Sequence, residues 1–296
     1  MCILVAQIYS FKPGMALPLA AYSGDYTPLA SALTALAVVG LLWFLFMGPT
    51  MGLGLARLWL FQKGVANYNL STLSNASVFL NRFSYYLQLS PAAKREFLTR
   101  TLNFLHGKTI EGAGDYEPDY PTQMHIAATA TQITFGFPDF TFVHFDRIIL
   151  YPGIFKLSEN APLMKGATTP DGIIRISVKD YDAGYANPSD KLNVGLHEFA
   201  HALFMELLKQ AGQEDESVNA IYPYLTQADQ LLHSGKDKDH FLRNYAFTNR
   251  HEFFAVSVEH FFEAPEEFST KLPELFKVMR NLMRQDPRNV KADYAF

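Results

Sequence analysis

Cysteine is almost absent from this chain of 296 residues: Cys2 is the only one. An intrachain disulfide framework is therefore excluded, and so is a metal site of the finger type built from several thiolates. Any tightly held metal must use histidine, aspartate or glutamate. The lack of paired cysteines fits a reducing compartment. Charge is sparse as well. Only 18 % of residues are Asp, Glu, Lys or Arg, low for a soluble protein, and the deficit is concentrated at the N-terminus. Positive charge is not in excess. The formal net charge is −4 and the pI is about 6.1, so direct nucleic-acid binding is not expected.

What the N-terminus has instead is one long apolar run. Leu29–Met47, LASALTALAVVGLLWFLFM, is 19 residues without a charge. That length crosses a hydrocarbon core as a helix, and we read a transmembrane helix over about 29–48. A cleaved signal peptide would place basic residues close to its apolar stretch, and here only Lys12 precedes it. The chain then divides into an N-terminal segment, 1–66, and a larger C-terminal domain, 67–296. Arg57, Lys63, Arg82, Lys94 and Arg95 follow the span, which leans towards a single-pass membrane protein with its C-terminal domain in the cytoplasm.

The chemistry centres on His197-Glu198-Phe199-Ala200-His201, an H-E-x-x-H motif. On a helix, residues four apart share a face, so both imidazoles can meet one metal ion. Glu198 then stands at the rim, placed to take a proton from a water on that metal. Asn187 as N-cap and Pro188 as first residue predict a helix from about 188 to 210, with Leu192, Leu196, Phe199, Ala200 and Leu203 on its apolar face. Alone, the motif is also compatible with an amphipathic helix carrying two ordinary histidines.

Elsewhere the pattern is mixed. NLSTLSNAS reads as a linker or loop. Ser90-Pro91 opens a helix that stops at Gly107, and GAGDYEPDYP follows as a loop. MHIAATATQITFGF fits helix or strand, and its length favours helix because it exceeds most strands, with His125 as a core or supporting residue. TFVHFDRIILYP predicts a strand at about 142–150, with His144 an ordinary strand residue, and IIRISV predicts a second at 173–178. Residues 211–240 are acidic, polar and expected to be exposed, with His233 and His240 on the surface.

A second segment completes the picture. Thr248 and Asn249 are N-cap candidates for a helix with Phe253, Phe254, Val258 and Phe261 on one face. Glu252 fits two roles there. It is the third residue of a capping box opened by Asn249, or a third metal ligand of the gluzincin type that leaves the fourth position to water. Glu259, seven residues on, either orients a ligand histidine or is a surface carboxylate. His251 and His260 point to other faces.

The stretches FDRIILYPGIF, HEFAH and YAFTNRHEFFAVSVEHFFEAPEEF, with the trailing LPELF and QDP, resemble the Mlc titration factor A family of zinc-dependent peptidases over roughly residues 88–290. The Tyr-to-Glu spacing is also similar to that of the anthrax lethal factor type. The resemblance implies an α+β, mostly helical zincin-like domain with a small sheet. It implies one Zn2+ per chain held by His197, His201 and Glu252, with Glu198 as catalytic glutamate and Tyr245 as site tyrosine. Tyr245 would donate to the oxyanion of the tetrahedral intermediate. The resemblance implies hydrolysis of a peptide or protein substrate and leans towards aminopeptidase activity. One departure is Phe204, where members often carry an aspartate. Another is the added membrane helix. The rival reading is a regulatory binding protein that sequesters a transcriptional repressor or another partner at the membrane.

Overall fold

The computed structural model describes residues 68–137, 142–211, 219–234 and 241–289. The span read at 29–48 and the boundary at 66 lie outside them. Among the described residues no helix is long and apolar enough to cross a membrane.

The described chain is mostly helical. NLSTLSNAS is not a linker. Its Leu70–Ser77 part is helix α1, because the Asn69 side chain accepts from Thr72 N and Leu73 and Ala76 are buried. Helix α2 is Ser84–Gln88 and α3 is Pro91–Gly107. Helix α3 starts as expected, with the Ser90 hydroxyl accepting from Ala93 N at 3.2 Å. Strand β1, Thr109–Gly112, follows at once and has too few residues to show a period. Helix α4, Tyr120–Thr134, is capped by Asp119. It is buried continuously from Ile126 to Thr134, so it carries no amphipathic stripe.

Strand β2 is Arg147–Tyr151, shorter than expected. Residues 142–145 do not join the ladder; only the Asp146 carbonyl does, accepting from Thr109 N at 2.9 Å. Phe142 and Phe145 turn into the core, and the main-chain N–H of His144 donates to Glu206 at 2.6 Å. His144 is therefore not a strand residue. Strands β3, Gly166–Thr169, and β4, Ile173–Ser177, form a hairpin. Val178 leaves β4 and begins helix α5, Val178–Ala186, because Ser177 caps it. The sheet order is β1-β2-β4-β3. The first three strands are parallel and β3 pairs antiparallel at the edge. Ile148, Leu150, Ile174 and Ile176 are fully buried at alternate positions.

Helix α6, Val194–Gln210, carries the H-E-x-x-H motif but starts six residues later than expected. Asn187 closes α5 instead, and Lys191 takes a left-handed φ of 64°, which no helix passes through. Leu192 is consequently 58 % exposed. The cap is Asn193, whose side chain accepts from Leu196 N at 3.0 Å. Helix α7, Ile221–Ser234, lies inside the stretch expected to be exposed, and it buries Ile221, Tyr224 and Ala228. A 3-10 turn, Asn244–Thr248, leads into α8, Arg250–Glu263. Helices α9, Pro265–Lys271, and α10, Pro273–Met283, follow. The main core joins α4, α6, α8 and the sheet around Phe199, Leu203, Phe253 and Phe254. A second cluster, around Phe83, Phe97 and Met124, seats α1–α3 on α4. The motif helix is thus fixed between the sheet and α8.

Candidate metal centre

Two helix starts build the site. The Asn193 cap sets the rotation of α6, and His197 and His201 fall one turn apart on the face towards α8. Their Nε2 atoms lie 3.1 Å apart. On α8, Asn249 accepts from the main-chain N–H groups of His251 and Glu252, so the cap read in the sequence is formed. The Glu252 carboxylate nevertheless turns to the imidazoles. Its Oε2 lies 3.1 Å from His197 Nε2 and 3.5 Å from His201 Nε2. A tetrahedral centre with zinc-length bonds sets its donor atoms about 3.3 Å apart. The three separations bracket that spacing, and the donor set of two imidazoles and a carboxylate suits zinc.

Glu259 is 2 % exposed, so the surface-carboxylate reading fails. It accepts from His197 Nδ1 at 3.0 Å and from Asn193 N at 2.9 Å, and it pairs with the Arg243 guanidinium. With Nδ1–H committed to Glu259, the neutral ring of His197 carries its lone pair on Nε2, facing His201 and Glu252. Burial alone would lower the His197 pKa, but Glu252 and Glu259 overcome it and push it up to about 10. Burial would raise Glu252, but its hydrogen bonds with His197 and His201 hold it well below the usual carboxylate range. The field that draws protons to these nitrogens equally favours a divalent cation.

Glu198 is 5 % exposed. Burial raises its pKa, against the pull of both imidazoles. The Thr168 hydroxyl on β3 lies 2.8 Å from its Oε2 and 3.0 Å from its carbonyl oxygen. A Cβ on Gly166 would come within 2.3–2.6 Å of the Glu198 side chain, so only glycine lets the strand approach this closely. Tyr245, in the 3-10 turn, is 52 % exposed, and its ring lies 6.2 Å from that of His197. Burial and the neighbouring Glu252 push its phenol up to about 12, so it is a neutral donor at pH 7.

A family model described as glucose-regulated metallo-peptidase M90 matches residues 59–284. The chain belongs to this family. The resemblance to Mlc titration factor A is borne out too. Mlc titration factor A of Salmonella paratyphi B is 26 % identical over 166 residues, 48 % of this chain and 60 % of that protein. The same protein of Salmonella typhimurium matches to the same extent. The chain thus spans about 60 % of the length of these relatives. An uncharacterized protein of Synechocystis sp., slr2042, is 25 % identical over 235 residues, 70 % of this chain and 82 % of that one.

In this M90 member, Phe204 stacks on Phe254 with ring centroids 5.0 Å apart and meets His251 edge-on at 5.0 Å. An aspartate there would sit among aromatic rings. His197 is steered by Glu259 from α8 instead. The other histidines among the described residues stay outside the cluster. His260 bonds the carbonyls of Val256 and Phe241, and His125 bonds that of Phe79. His233 bonds the Asp229 carbonyl and is exposed, while His240 lies outside the described residues. Sequence reasoning missed Gly166, Thr168, Asn193 and Arg243. Asn193 carried a signal, an N-cap residue just before V-G-L-H, but Asn187-Pro188 competed with it. The other three come from distant parts of the chain and leave no local pattern.

Proposed function

We propose that this chain is a zinc-dependent peptidase that holds one Zn2+ at His197, His201 and Glu252 and hydrolyses peptide bonds with Glu198 as general base. One observation carries the reading: three donor atoms converge at zinc-ligand spacing beside a buried carboxylate that a structural site does not need. Zinc, when bound, supplies a Lewis acid and lowers the pKa of water in its open position. Glu198 takes the proton of the attacking water and passes it to the leaving amine, and its raised pKa suits a carrier that must also release it. Thr168 holds one Glu198 oxygen by hydrogen bond and so fixes the carboxylate plane. Tyr245 donates a hydrogen bond to the developing oxyanion.

The edge strand suits the substrate. Ser177 N–H donates to the Lys165 carbonyl at 2.7 Å. In an antiparallel ladder this turns the main-chain groups of Lys165, Ala167 and Thr169 towards β4 and those of Gly166 and Thr168 outwards. An extended peptide can add to that edge beside Glu198. Aminopeptidase action is the finer form of the proposal, and the apolar run 29–47 would tether the domain to a membrane as a single pass with the domain on the cytoplasmic side. The name of the Salmonella relatives, a titration factor of Mlc, favours a second reading, in which this chain also binds a regulatory protein.

The test is zinc content beside hydrolysis of an unbiased peptide mixture by the full chain and by Glu198→Gln. About one zinc per chain in both, with cleavage only in the wild type, is the expected result. Zinc without cleavage in either moves the weight to the binding protein. No zinc in either overturns the site.

A further inference from the structure

A cavity of about 260 Å³ lies between α2, α4, α5 and the facing ends of α6 and α8. None of His197, His201 or Glu252 lines it. Its polar lining comes from Ser84, Gln88, Gln132, Tyr185, Asn193 and Glu263, with Phe262 among its apolar walls. Glu263 is the one ionisable carboxylate of the lining, and no Lys, Arg or His lines the cavity. Its Oε1 accepts from Asn193 Nδ2 at 3.1 Å. Its Oε2 closes no full hydrogen bond among the described residues, although the Lys191 main-chain N–H lies towards the carboxylate, and as it stands this oxygen is turned away from the cavity.

A buried carboxylate oxygen without a partner is costly, and native structures rarely leave one so. Burial above all, with Glu259 and Asp190 nearby, pushes Glu263 up to about 7 against the hydrogen bonds of Asn193 and the Lys191 main chain, so near neutral pH it ionises with no cation lining the cavity. The terminal carboxylate torsion is soft, so the group can turn to offer an oxygen to a donor in the cavity, exchanging part of its bond with Asn193 for that contact. A single carboxylate among neutral groups is a poor cage for a divalent cation, which takes several oxygen ligands and usually more charge. An ammonium group fits better, since it brings three donors and one positive charge. The aromatic walls and amide side chains suit the remainder of such a molecule, and the missing cations disfavour an acidic group on it. The volume holds a molecule of roughly ten non-hydrogen atoms.

We propose that this cavity binds a small primary amine that carries hydroxyl or aromatic groups and no acidic group. The probe is tyramine, added to the full-length protein at pH 8 and followed by thermal shift and calorimetric titration. The neutral analogue 4-ethylphenol is the control. Saturable binding of tyramine is expected, with little or none for 4-ethylphenol. Glu263→Gln should weaken it by roughly tenfold or more, the factor a charge-assisted hydrogen bond carries. Ser84→Phe, which puts a ring into the cavity and leaves Glu263 intact, should abolish it. No binding of tyramine, equal binding of 4-ethylphenol, or binding unchanged in both variants overturns the proposal. The readout needs no peptide cleavage and no zinc, so it stands apart from the peptidase reading.

Discussion

Helix α6 takes part in two histidine–carboxylate pairs. In one, His197 on α6 gives its Nδ1 to Glu259 of α8 at 3.0 Å. In the other, Glu206 on α6 receives Nδ1 of His144, from the turn before β2, at 2.5 Å. Both carboxylates are buried, Glu259 at 2 % exposure and Glu206 at 0 %. The pairs differ in what the far side of the imidazole meets. His197 Nε2 faces His201 and Glu252, whereas the His144 side chain is 44 % exposed. Glu206 also accepts from the His144 main-chain N–H, so that pair fastens a turn to the core. A buried carboxylate behind a histidine therefore does not by itself mark a reactive site. The distinction comes from the i, i+4 spacing on α6 and from a second helix that delivers one more donor.

Variants can break this contrast at either end. The largest effect is expected from Glu252→Ala, which removes the third donor and leaves two imidazoles. Zinc should be lost on dialysis, and zinc content equal to wild type would mean that Glu252 only caps α8. Next comes Glu259→Gln. It keeps the shape but removes the charge behind His197, and zinc affinity should fall by roughly 10–100-fold, read by competition with a chelator. Unaltered affinity would make Glu259 a packing residue. Glu206→Gln should leave zinc binding where it is and cost about 1–3 kcal/mol of stability, seen as a lower urea midpoint at constant m. If zinc affinity fell there as much as in Glu259→Gln, the two pairs would not differ in kind.

The parts of the site legible in the sequence are those with local grammar. His197, Glu198 and His201 share one turn-and-a-bit of helix, and Asn249 with Glu252 shares a helix start, so spacing alone exposes them. Asn249 caps and Glu252 faces the imidazoles at once, so the two readings of that stretch are not exclusive. Helix α3 was equally plain, from Ser90-Pro91 to Gly107. What stayed hidden depends on the third dimension. Thr168 and Gly166 reach Glu198 only because β3 folds back on β4 as an edge strand, and four residues of GATT show no period. Helix α4 looked ambiguous because the core surrounds it. Helices α1 and α7 were hidden by polar composition, since each buries only a few positions: Leu73 and Ala76 in one, Ile221, Tyr224 and Ala228 in the other.

The smallest expected effect sharpens the contrast within α8 itself. Glu259 and Glu263 sit one turn apart, and both bond Asn193, the first through its main-chain N–H and the second through its side-chain amide. Glu259 also has His197 and Arg243, whereas one oxygen of Glu263 closes no full hydrogen bond among the described residues. Burial first, then the charge of Glu259, pushes Glu263 from its ordinary 4.5 up to about 7. Between those values the folded protein keeps a proton that the unfolded chain has released. Stability must therefore fall as pH rises through this window, and level off above it. Glu263→Gln imitates the protonated form at every pH. It should match wild type near pH 4.5 and exceed it at pH 8 by about 1 kcal/mol, after screening at this partly exposed end. Urea midpoints at several pH values between those limits would show the gap opening. A gap that is constant with pH would mean that the substitution acts through packing, and that the carboxylate at 263 is no less comfortable than its neighbour at 259.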